Sequence, residues 1–188
     1  MSDDSIRAFL ALEIPEDVKA KLVLAREGIR DELPKARWTR PEGWHLTLKF
    51  LGQAERNVLA DLGTELTPRI RGVGSIPVKL EKTGFFPSSM RPRVAWVGGT
   101  ADGAEKSVAA VEAAAEISGF PRDRRPWSVH LTQARLKAQW SKAAVDRFLD
   151  WGEGLDLSAF VCREVVLFSS DLQPGGAVYT ALERFSLE

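Results

Sequence analysis

The sequence predicts an α+β fold with mixed or antiparallel sheets, and three observations carry that expectation. Segments of strand character come partly in adjacent pairs, which a doubly wound parallel sheet does not produce. Segments of helical periodicity stand singly between them. A helix followed by a strand opening on His-Leu-Thr occurs twice, at His45 and His130, the only two histidines of the 188-residue chain.

The elements follow in order. Ile6 to Ile14 is apolar enough for a strand. Pro15, Glu16 and Asp17 suit a helix start, because proline and acids fit a first turn. Val18, Leu22, Ala25 and Ile29 then recur at helical spacing to about Asp31, with Pro34 just beyond. Trp44 to Leu51 reads as a strand, and Glu55 to Ile70 as a helix with Val58, Leu59, Leu62 and Leu66 on one face. "IPVKLEKTGFFP" and "RPRVAWVGG" read as two strands joined through "PSSMRP". Asp102 and Glu105 resemble a capping box before an alanine-rich helix that ends at Gly119. "SVHLTQARL" is a strand. Ser141 to Trp151 is a short helix with a serine cap and Gly152 past its end. "CREVVLFSS" and "AVYTALERF" close the chain as strands.

Length permits one domain, or two small lobes sharing a core. No linker or low-complexity stretch divides the halves, so residues 1–188 are taken as a single bilobal domain. Lys+Arg and Asp+Glu number 26 each, so the net charge is zero. That excludes a whole-surface polyanion binder but leaves room for a local basic pocket. Cys162 is the one cysteine, which rules out an intramolecular disulfide and fits a reducing compartment. The acidic start, "MSDDSIRAFLALEIPED", lacks the apolar run of a signal peptide or membrane span. The expectation is a cytoplasmic monomer that does not bind membranes.

The two repeated strands carry the chemistry. Alternate strand residues face opposite ways. Trp44, Leu46, Leu48 and Phe50 then form a core face, while His45, Thr47 and Lys49 line up on the other. In the second strand His130 and Thr132 share a face. Two imidazoles across one pocket suit a reaction that needs an acid and a base near neutral pH. Threonine hydroxyls can donate to a phosphoryl oxygen, and Arg135 can add charge. Strict alternation, however, puts Arg135 on the face opposite His130. Only a bulge, or an end to the strand near Gln133, brings it round.

These words resemble the signature of the two-histidine (2H) phosphoesterases, a family with two His-x-Thr/Ser motifs. "RAFLALEIP", "WHLTLKFLG", "FFPSSMRPRVAWVG", "HLTQAR" and "LQPGGAVYTAL" resemble, in order and over nearly the whole chain, its RNA 2',3'-cyclic phosphodiesterase branch, also called 2'-5' RNA ligase. The resemblance implies a two-lobed fold, mostly antiparallel sheets flanked by helices around a central cleft, with one motif from each lobe. It implies His45 and His130 as the catalytic pair, and Thr47, Thr132 and Arg135 as the phosphate-binding groups. Val129 and Gln133 depart from the branch's usual Pro and Leu. The implied substrates are RNA with a 2',3'-cyclic phosphate end or a nucleoside 2',3'-cyclic phosphate, and no metal or cofactor is called for. The implied reaction is hydrolysis to the 2'-phosphate, with one histidine as base and the other as acid; both assignments stay open, and His130 as base with His45 as acid is the one favoured. Reversible 2'-5' ligation would use the same site.

Further substrate contacts are expected at Lys49, Phe86, Trp127 and Tyr179. Phe86 and Trp127 can stack a base. Trp44 and Trp96 are assigned to the core. Arg91 with Arg93, and Arg122 with Arg124 and Arg125, can steer RNA or simply be solvated. Three rival functions stay open: another 2H activity on a small cyclic nucleotide or a 2'-5' oligonucleotide, a binding module for RNA ends without turnover, and a metal hydrolase. The last lacks a third ligand at zinc spacing from either histidine.

Overall fold

The computed structural model describes residues 5–174 and 176–188. The acidic start at Asp3 and Asp4, and Gly175, lie outside them. Nine strands and four α-helices are seen among the described residues: β1 Ser5–Glu13, α1 Glu16–Arg30, β2 Ala36–Trp38, β3 His45–Glu55, α2 Arg56–Ile70, β4 Ile76–Phe86, β5 Val94–Ala101, α3 Ala104–Ile117, β6 His130–Leu136, α4 Lys142–Glu153, β7 Phe160–Cys162, β8 Glu164–Gln173 and β9 Gly176–Ser186. A 3-10 turn at Pro41–Gly43 leads into β3.

The fold is α+β with two sheets, and each holds one histidine strand. One has the order β3-β1-β8-β9, the other β2-β6-β5-β4-β7, and every recorded pairing is antiparallel. The largest core cluster draws on both sheets. Leu10, Leu46 and Leu167 come from one, Val78, Val97 and Leu131 from the other, with Leu22, Leu62 and Val111 from three helices. Burying such side chains is the main favourable term in folding, about 1.5–3 kcal/mol each. A second cluster packs α4, through Val145 and Phe148, against Phe85, Ala95 and Ala134 of the β2-containing sheet.

Local chemistry explains several boundaries and corrects others. Ser141 Oγ accepts from Ala144 N–H at 3.2 Å, so the serine cap of α4 is as read from sequence. Gly119 sits at φ 89°, with Gly119 N–H donating to Glu116 O and Phe120 N–H to Ala115 O. That is a Schellman end, and it needs the left-handed residue. The capping box at Asp102 and Glu105 does not form. Gly103 is the cap residue, and Asp102 N–H is bound to Pro77 O on β4. Gly152 lies inside α4 instead of past its end. A Cβ there would collide with the Thr83 side chain, so the glycine is required by the close approach of α4 to β4. The strand expected from Cys162 onward is broken at Arg163: Cys162 belongs to β7 and pairs with β4 in one sheet, while the rest, in β8, pairs with β1 in the other. β2 is three residues long, too short to show periodicity.

Candidate active site

The two histidine strands share a deviation from regular pairing. In β3, Thr47 is opposite Ala11 and Lys49 is opposite Leu10, so Leu48 is an extra residue. In β6, Thr132 is opposite Trp96 and Ala134 is opposite Ala95, so Gln133 is extra. Both strands thus bulge three residues after the histidine. A bulge re-aims everything beyond it. It turns Arg135 to the His130 face, resolving the alternation conflict. It also turns Lys49 away from His45 and brings Phe50 round in its place, so the two expectations from strict alternation in β3 are reversed.

The cleft between the sheets has a volume of about 420 Å³, and His45, Thr47, His130, Thr132 and Arg135 all line it. Phe86 and Tyr179 line it too. Tyr179 meets the His45 ring edge-on at 5.0 Å, and Phe86 meets the His130 ring edge-on at 5.1 Å. A Cβ on Gly43 would be 3.1 Å from the Tyr179 ring, so glycine there leaves room for it.

Lys49 and Trp127 are not cleft residues. Lys49 is 1% exposed, and its ammonium donates to both Glu112 carboxylate oxygens and to Pro121 O, each at 2.9 Å. Trp127 Nε1–H donates to Thr47 O at 2.7 Å. Both instead tie the loop that leads into β6 onto β3, and so join the two histidine strands. Trp44 is buried as expected. Trp96 is only half-buried and lies over Gly84 and Gly98, whose Cβ positions its ring would overlap, with Phe86 5.5 Å away. The Arg91/Arg93 and Arg122/Arg124/Arg125 groups do not line the cleft, and Arg122 is paired with Glu116 at 2.8 Å.

Each imidazole is held the same way. His45 Nδ1 is 2.8 Å from Gly43 O and His130 Nδ1 is 2.9 Å from Ser128 O. A carbonyl only accepts, so Nδ1 carries the proton and Nε2 is the acceptor nitrogen in both rings. Their surroundings differ. His45 packs against Phe9 at 4.5 Å, Tyr179 and Phe168. Burial there pushes its pKa down to about 4, with the charges of His130 and Lys19 adding to the fall and the Gly43 hydrogen bond opposing it. His45 is therefore neutral at pH 7 in the free protein.

The cleft residues missed by sequence reasoning include Arg7, Arg37, Arg40 and Phe50. Phe50, 61% exposed, was hidden by the bulge. Arg37 and Arg40 lie in "ARWTR", where the only signal is two basic residues flanking a tryptophan. Among the described residues no Asp or Glu lines the cleft, although the chain as a whole is neutral. Among the described residues no three His, Cys, Asp or Glu side chains gather as a metal site, and no helix is long and apolar enough to cross a membrane.

Two antiparallel sheets, each presenting one His-Leu-Thr strand to a basic cleft, define a protein of the two-histidine phosphoesterase class. Comparison with known proteins gives the branch. The family model described as LigT-like phosphoesterase matches residues 12–96. An RNA 2',3'-cyclic phosphodiesterase of Thermus thermophilus is 35% identical over 97% of this chain and 90% of its own, and one of Methanocaldococcus jannaschii is 26% identical over 96% and 100%. A solved Thermus thermophilus protein superposes with a TM-score of 0.79 at 29% identity, covering 97% of this chain and 98% of that one. Escherichia coli LigT, solved with 3'-AMP, has the same fold, with a TM-score of 0.75 at 24% identity over 97% and 98%. The chain belongs to the RNA 2',3'-cyclic phosphodiesterase family of the LigT-like phosphoesterases.

Proposed function

We propose that this protein hydrolyses the 2',3'-cyclic phosphate of RNA ends or nucleotides to a 2'-phosphate, with His45 and His130 as its acid and base. One observation carries the reading: two identically latched imidazoles offer Nε2 to one cleft that has no carboxylate among the described residues, and each is followed on its strand by a threonine facing the same space. The names of the relatives support it.

The chemistry follows from the groups present. One imidazole takes a proton from water as the water oxygen bonds to phosphorus. The bond from phosphorus to O3' breaks, and the second imidazole delivers a proton to O3'. Thr47, Thr132 and Arg135 hold the non-bridging oxygens as negative charge gathers there. Proton balance needs only the two rings. His130 is the more open to solvent and suits the water-activating role. His45 is walled by aromatic rings, which keep solvent from competing at the leaving oxygen. It receives its proton when the anionic phosphate arrives, since a nearby negative charge favours imidazolium. With a 5'-hydroxyl in the place of water, the same steps yield a 2'-5' bond.

The test is turnover of the four nucleoside 2',3'-cyclic phosphates and a short RNA with a cyclic end, in chelator, by wild type, His45→Asn and His130→Asn. The expected result is a 2'-phosphate product, with about 10²–10⁴-fold loss in each variant. Roles are separated with an aryl phosphodiester, whose leaving group needs no acid: it rescues His45→Asn but not His130→Asn. Binding without turnover by folded wild type would mean an RNA-end-binding module. Turnover that survives either substitution would place the chemistry elsewhere.

A further inference from the structure

The cleft has more cation than one phosphate needs. Arg135 stands on the His130 face. Arg7, Arg37 and Arg40 also line the cleft, all three exposed, and none has a carboxylate ion-pair partner among the described residues. Arg37 is the cross-strand partner of Arg135 in the β2–β6 pairing. Like charges opposite one another on a strand pair are destabilising unless an anion lies between or beside them. The Arg37 guanidinium reaches across to the last hairpin, where a Cβ on Gly176 would be 3.8 Å from its Nη2.

The segment bearing Arg37 and Arg40 is built in, not loosely attached. Thr39, between them, donates its N–H to Gln133 O at 2.8 Å and its hydroxyl to Thr132 O at 2.8 Å. Its hydroxyl accepts from Trp44 Nε1–H at 2.8 Å, and its carbonyl accepts from Arg26 Nη1–H at 2.9 Å. One residue therefore fixes the two arginines relative to the catalytic strand. Unpaired guanidiniums carried on a held backbone, in a cleft with no acid among the described residues, suit the recognition of phosphate oxygens.

We propose that Arg37 and Arg40, with Arg7 opposite them, form a second phosphate subsite that takes the phosphate on the 5' oxygen of the ribose bearing the cyclic phosphate. The inference rests on the proposed function. The second phosphate has two sources: the internucleotide link of an RNA chain, or the 5'-phosphate of a mononucleotide. Either gives the enzyme a preference for substrates with two phosphates over a bare nucleoside 2',3'-cyclic phosphate.

Three substrates test this: a nucleoside 2',3'-cyclic phosphate, its 5'-phosphorylated form, and a dinucleotide with a cyclic end. In wild type, kcat/KM for at least one of the last two exceeds the first by at least about tenfold at low salt, and the ratio shrinks as salt rises. In Arg37→Ala/Arg40→Ala the ratio falls to within about twofold of one, and Arg37→Lys/Arg40→Lys restores part of it. A gain for both larger substrates assigns the subsite to the 5'-phosphate itself. A gain for the dinucleotide alone, lost in the alanine variant, assigns it to the RNA link. A wild-type ratio near one, or a ratio unchanged in the alanine variant, overturns the subsite and leaves the proposed function standing. No turnover of any of the three by wild type overturns the proposed function itself.

Discussion

β3 and β6 can be laid residue on residue. Each opens on His-Leu-Thr, each latches Nδ1 to the carbonyl two residues back, and each bulges three residues after its histidine. They part at the fourth and fifth positions. β3 buries Lys49 and presents Phe50, while β6 buries Ala134 and presents Arg135. What the strands share holds the two imidazoles in the same geometry. What differs puts Phe50 at the cleft from one strand and Arg135 from the other.

The largest effect is expected where β3 buries a charge and β6 does not. Lys49→Ala strips Glu112, whose side chain is 13% exposed, of its ammonium and should cost about 3–5 kcal/mol in denaturant unfolding. Lys49→Met with Glu112→Leu should recover most of that loss. If Lys49→Ala unfolds like wild type, the ion pair does not hold the β6 loop to β3. Next comes the fifth position. Arg135→Ala should lower kcat by about 10²–10³-fold, the loss of a charged donor to the phosphoryl oxygens. Phe50→Ala should act on the other parameter, raising KM by the value of one stacked base, about 1–3 kcal/mol, with kcat kept. Equal kcat losses in both variants would erase the proposed division.

Stability against pH sharpens the contrast between the histidines themselves. Above pH 6.5 the His45 ring is neutral whether the chain is folded or not. As pH falls towards about 4, the unfolded chain takes up a proton that the folded chain refuses, so stability drops, by about 3 kcal/mol in total. Urea midpoints at pH 7 and pH 4.5 should show that drop in wild type and in His130→Asn. His45→Asn should lack it. Parallel curves for all three would mean that burial is not what keeps His45 neutral. The smallest effect concerns the bulge in β6. Gln133 is fully buried, and neither its amide oxygen nor its amide nitrogen has a partner among the described residues. Gln133→Leu should therefore stabilise the protein by about 1–2 kcal/mol, read from the same urea curves, with activity kept.

Much of this was legible without coordinates. Repetition of His-Leu-Thr marked both catalytic candidates, because a titrating residue used twice in one setting is a chemical signal rather than a packing one. The long periodic helices and most strands followed from spacing, and Ser141 and Gly119 from cap chemistry. Single residues failed where a neighbour in space overruled a local rule. Gly152 is required by Thr83, across from it on β4, not by a helix end. Asp102 is claimed by Pro77 before it can cap α3.

The sequence by itself determined the class of fold, the two histidines and the threonines beside them, since period-two alternation holds as far as the third residue of each motif. Tertiary structure decided the rest. Pairing with β1 and β5 puts an extra residue just after the threonine in β3 and in β6, and that bulge reverses the faces of the two residues that follow. Arg135 and Phe50 enter the cleft, and Lys49 leaves it, because register is a property of two strands and cannot be read from either alone.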